Sequence, residues 1–88
     1  MKKKSDLMEP SLATIVILLS SNAMGYLEAA QDKEKEDRKK ENLDLATFFI
    51  DLLAVLEEKT KGNLAEEEKM TLEKVLTELR MLYVKLSR

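Results

Sequence analysis

The 88-residue chain carries 15 basic and 17 acidic side chains, a formal charge of −2, 44% apolar residues, and neither cysteine nor histidine. That length makes one small domain, and that apolar fraction belongs to a folded chain and not a disordered one. Without cysteine there is no disulfide, thiolate zinc site or cysteine nucleophile, and without histidine the side chain best matched to proton transfer near neutral pH is missing.

In chain order, Glu9-Pro10-Ser11 reads as a helix start with Pro10 at the first helical position, where its missing N–H costs nothing. From Leu12 to Leu19 only Thr14 interrupts the apolar residues, and no charge appears between Pro10 and Leu27. Such a helix, apolar on every side, is buried on every side, in protein or in lipid. The β-branched run Ile15-Val16-Ile17 has no second strand to pair with, so helix one is expected over about residues 10–30. Lys2-Lys3-Lys4 before this run imitates a signal peptide, and Ser21-Asn22-Ala23 offers a small-x-small cleavage site. Asp6 and Glu9 oppose that reading, as do Ser20, Ser21 and Asn22 in the middle of a helix that would need about 20 apolar residues to span.

Asp32 to Glu41, DKEKEDRKKE, holds five positive and five negative charges, the composition of a solvated linker over residues 31–42. Helix two is expected over about 43–61, with Asn42 as its N-cap. Leu43, Ala46, Phe49, Ile50, Leu53 and Leu56 line one face; Leu45, Phe48, Leu52 and Val55 line an adjoining one. That pattern predicts a central helix packed on two sides. Lys59-Thr60-Lys61-Gly62-Asn63 ends it, with cations in the last turn and a glycine free to take positive φ. It is not a phosphate loop, because GxxxxGK[ST] and a preceding strand are both missing.

Helix three is expected over about 64–87, opened by a capping box of Asn63 with Glu66. Leu72, Val75, Leu76, Leu79, Leu82, Tyr83 and Leu86 recur at helical spacing. Lys69, Glu73, Lys74, Thr77, Glu78 and Lys85 take the outer side, which describes a surface helix with one buried stripe. The short turn at Gly62 predicts an antiparallel hairpin of helices two and three, with either Asp44 and Arg80 in contact at its open end or Arg80 turned to solvent with its stem over Tyr83. The fold class is therefore all-α, a three-helix domain expected to be completed by dimerisation.

Two strings are more specific than the helices around them: Lys59-Thr60-Lys61-Gly62-Asn63-Leu64, and Leu79-Arg80-Met81-Leu82-Tyr83-Val84. With the apolar helix from Ser11 to Leu27, they resemble a family of small bacterial proteins, domain of unknown function 1844, over most of the chain. The resemblance implies a Thr or Ser where this chain has Ala65, and it implies no activity.

For function, the acidic groups Glu57/Glu58 and Glu66/Glu67/Glu68 lie at helix ends, with no nucleophile–base pair, metal-spaced cluster or Glu-x-x-His pattern beside them. No enzyme, cofactor or metal is expected. Lys2-Lys3-Lys4 and Lys59/Lys61 are not interleaved with aromatics, and the net charge gives no pull toward nucleic acid. Three helices cannot cover both helix one and the second face of helix two, so a contiguous apolar patch is expected to serve contact. Ile15, Val16, Leu18, Leu19, Met24 and Tyr26 are its candidate residues. A homodimer in the cytoplasm is the expected state, with another protein partner next and membrane association or export as the alternative. The charged fraction of 36%, rich in Lys and Glu, is thermophile-like.

Overall fold

In the computed structural model, which describes residues 10–88, the first helix among those residues is capped by Ser11 and does not take in Pro10. Ser11 is extended and its Oγ accepts the Thr14 N–H at 3.2 Å. A side-chain oxygen that satisfies an orphan N–H outweighs proline's mere tolerance at the next position, so Pro10 stays outside the helix. Glu9, Asp6 and Lys2-Lys3-Lys4 lie outside the described residues. Helix α1 runs Leu12–Gln31. Its polar centre does not break it, because Ser20 donates to the Ile17 carbonyl at 3.2 Å and Asn22 to the Leu18 carbonyl at 2.8 Å. Both side chains turn back onto their own helix.

The charged run is more ordered than a linker. Asp32 accepts the Glu34 N–H on its Oδ1 at 2.9 Å and opens a 3-10 segment, Lys33–Arg38, with a non-helical kink at Lys35. Helix α2, Lys39–Lys59, follows directly. Asn42 therefore lies inside α2 and caps nothing; Lys39, Lys40 and Glu41 are good helix formers, and their propensity carries the helix one turn further back.

At the far end of α2, Thr60 donates its hydroxyl to the Leu56 carbonyl at 2.7 Å. Gly62 then takes φ +85°, where any side chain would be strained, and the Asn63 N–H closes the turn on the Thr60 carbonyl at 2.9 Å. Helix α3 is Glu66–Ser87, and its N-cap is Ala65. The predicted Asn63–Glu66 box does not form, because Asn63 is spent in the turn. Instead Glu68 Oε1 accepts the Ala65 N–H at 2.9 Å. This is one arm of a capping box; the alanine methyl has no oxygen to supply the other.

Among the described residues the elements are these three α-helices and the 3-10 segment, with no strand, so the fold is all-α. Each helix gives one narrow stripe to the core: Val16, Ala23, Leu27 and Ala30 from α1; Leu43, Ala46, Ile50 and Leu53 from α2; Leu72, Leu76 and Leu79 from α3. No polar side chain is buried among them. The α1–α2 pair is the most closely packed. Its connector rises only about 2 Å per residue where it is 3-10 helical, far too little to carry the chain back along a helix of about 30 Å, so α1 and α2 run in opposite directions. α3 lies along α1: Leu12 and Ala13 share one recess with Glu67 and Thr71, Met24 shares another with Val75 and Leu79, and Ala30 a third with Leu86. The result is thin, 42 × 31 × 15 Å, with a radius of gyration of 14.4 Å. A compact chain of this length would have about 12 Å.

Candidate interaction surface

The predicted contact residues divide by their angle around α1. Ile15 and Leu18 point into solvent, 45% and 59% exposed. Leu19, Met24 and Tyr26 are half-buried against the core. Val16 departs from the expectation of a surface residue: it belongs to the buried stripe.

α2 also departs from its sequence reading. Its Leu43–Ala46–Ile50–Leu53 stripe is buried, but the adjoining face is not packed within the chain. Leu45 and Leu52 are half-buried, and Phe48 and Val55 are 56% and 52% exposed. Both neighbouring helices share one side of α2, which leaves the second face bare. The stripe itself is legible in the sequence. That one face would lack cover is expected of three helices; which face stays bare is not legible, because nothing in the period of α2 says on which side α1 will lie.

A row of rings joins the bare parts of the two helices. Tyr26 of α1 stacks on Phe49 of α2, with centroids 5.8 Å apart and planes at 14°. Phe49 meets Phe48 edge to face at 5.3 Å. The row leads from the core margin to the open side of α2, so the exposed residues of α1 and α2 border one seam. In the antiparallel register set by the Tyr26–Phe49 contact, Leu18 falls level with Glu57, just past Val55 and Leu56. None of Ile15, Leu18, Tyr26, Phe48, Leu52 and Val55 is charged; Asp44, Asp51 and Glu58 follow along the outer edge of α2.

On the other side of α1, Leu12, Val16 and Ile17 line a recess of about 420 Å³ with Thr71 and Val75 of α3, and Glu67 and Glu68 stand at its mouth. Among the described residues no group of three or more carboxylates is placed to hold a metal ion. The only ion pair among them is Lys40–Asp44 at 3.0 Å, exposed and one helical turn apart. The predicted Asp44–Arg80 contact does not form. Asp44 has a cation on its own helix within reach, and Arg80 lines a recess at the C-terminal end of α3.

By length and composition α1 could cross a membrane, and only 17% of the qualifying window is buried. A core helix and a signal sequence have the same attributes, so the span is weakly indicated.

No curated protein and no solved structure matches the chain significantly. The family model described as "Domain of unknown function (DUF1844)" does match, over residues 9–85, and the chain belongs to that family.

Proposed function

We propose that the protein is a non-catalytic, self-associating module of the cytoplasm, a homodimer whose copies meet through the open face of the α1–α2 pair. One observation carries this: a contiguous uncharged surface, from Ile15 and Leu18 across Tyr26 to Phe48 and Val55, stays in water on a chain thinner than a finished domain. Two helices about 30 Å long and 10 Å apart present roughly 600 Å² per copy, so a pair would bury about 1,200 Å². That is the lower end for a stable interface. The face has no charge at its centre to repel an identical copy, and a patch that fits itself generates a closed two-fold dimer. Stacking it would enclose four helices, α1 and α2 from each copy, with α3 outermost.

Within each copy this reading takes α2 and α3 as an antiparallel hairpin. Residues 60–65 reach at most about 20 Å, short of the length of α2. Lys39 at the start of α2 and Leu86 near the end of α3 also border the same recess.

Light scattering over a concentration series tests the dimer, on the wild type and on Leu18→Glu and Phe48→Glu. The wild type is expected at twice the chain mass, and each variant at the chain mass with its helical circular dichroism intact. A folded wild-type monomer throughout would sink the proposal; dimeric variants would place the interface elsewhere. The exposure of α1 favours a second reading, association with a lipid surface. Flotation with liposomes would select it over the dimer if wild-type protein floats and Leu18→Glu does not.

A further inference from the structure

The C-terminal half of α3 carries a second exposed surface, on a different helix from the proposed dimer face. Met81 and Val84, 67% and 51% exposed, lie three residues apart in a shallow recess of about 430 Å³. The other residues lining it are Arg80, Lys85 and Arg88, so cations enclose the apolar pair and no carboxylate takes part. From Leu79 to Arg88 the sequence holds no acidic residue, whereas α3 opens with Glu66, Glu67 and Glu68. Among the described residues none of the three cations has an ion-pair partner. The core makes no use of Met81 or Val84, since α3 turns Leu72, Leu76 and Leu79 inward.

Cations at a helix C-terminus complement its dipole, and Lys85 and Arg88 need no further explanation than that. The dipole effect fades within the last turn, so it does not account for Arg80 two turns earlier, nor for two large apolar side chains held in water beside it.

We propose that this surface docks an acidic amphipathic helix of a partner protein. Apolar anchors at i and i+3 are the spacing by which one helix grips another, and flanking cations select carboxylates on the incoming chain. A lipid bilayer is the poorer fit. Interfacial helices need a broad apolar face, whereas this one offers two side chains on a chain of net charge −2.

The test uses a fluorescently labelled helical peptide with leucine on one face and glutamate on the other. A lysine-for-glutamate counterpart and vesicles of phosphatidylserine serve as competing targets. The glutamate peptide is expected to bind in fluorescence anisotropy and to weaken as salt rises. In the Arg80→Glu/Lys85→Glu double variant it should bind at least about tenfold more weakly. Met81→Ala should weaken it at every salt concentration. Both variants alter exposed residues, so their circular dichroism and solution mass should match the wild type; a changed mass would instead implicate α3 in the dimer. No binding, equal binding of the lysine peptide, or binding to the vesicles alone would each overturn the proposal.

Discussion

α1 and α3 are nearly equal in length, 20 and 22 residues, and commit similar stripes to the core, four buried residues against three. Their sequences are very unequal in apolar content. α3 is amphipathic: its half-buried Val75, Leu82, Tyr83 and Leu86 flank the buried stripe, and charges occupy most of the rest. α1 carries no charge before Glu28, so its apolar surface exceeds what the fold consumes, and Ile15, Ile17 and Leu18 are left over. A helix that must only join a small core needs charges over most of its outer side, as α3 has even with Met70, Met81 and Val84 exposed among them. The surplus on α1 is the physical reason to look for a covering surface outside the chain.

The sharpest way to break that comparison is to remove one buried leucine from each helix. Leu27 and Leu72 are both fully buried, and truncating either to alanine should cost about 2–5 kcal/mol. At roughly 0.05–0.15 kcal/mol per residue such a chain has about 4–13 kcal/mol in all, so each variant should lose a large share of its stability unless association supports it. Urea titration reads this directly. If Leu27→Ala is as stable as the wild type, the stripe assigned to α1 is wrong.

Leu18→Ala is the complementary change. Its side chain is mostly in water in the single chain, so truncation should cost below about 1 kcal/mol at low protein concentration. In a dimer buried through this face the cost should rise to about 2 kcal/mol as concentration populates the interface. Equal cost at both concentrations would detach Leu18 from any self-contact.

These contrasts also explain what the sequence could and could not disclose. The buried side of α3 was legible because apolar and charged residues alternate at its period; all seven predicted residues are buried or half-buried and all six outer ones are exposed. Gly62 was legible because positive φ after a helix has few other solutions. The inward side of α1 was not: an all-apolar helix has no period, so nothing in the sequence separates Val16 from its exposed neighbours Ile15 and Ile17. The start of α2 was hidden for the opposite reason. Ten charges in a row give no hydrophobic signal, although Asp32 supplies a cap and the residues after Arg38 are helical. Two cap candidates, Asn63 and Ala65, lie two residues apart, and the chemically better one was lost to the turn.

That last displacement gives a smaller and cleaner prediction. Ala65 has the extended backbone of an N-cap, and Glu68 already bonds its N–H. Ala65→Ser adds the oxygen that can accept from the Glu68 N–H, completing the reciprocal box. It should stabilise by about 1 kcal/mol in thermal or urea unfolding. No gain would mean that the helix starts elsewhere in solution.

Gly25 offers the finest probe of the surplus face, because a glycine in mid-helix is a liability unless something uses it. A Cβ built there meets nothing within 4 Å, and its φ is not positive. By the chain's own geometry, Gly25→Ala should therefore stabilise by roughly 0.5–1 kcal/mol through lower unfolded-state entropy and better helix propensity. Gly25 lies on the outer side of α1, seven residues along from Leu18 and so on the same stripe. If a second α1 crosses there with its backbone close, the added methyl would hold the copies apart. The variant would then be more stable as a monomer and weaker as a dimer. Urea unfolding at low concentration and light scattering at high concentration separate the two effects. A gain in stability with unchanged association would leave the crossing point of the dimer away from Gly25, toward Ile15 and Val55.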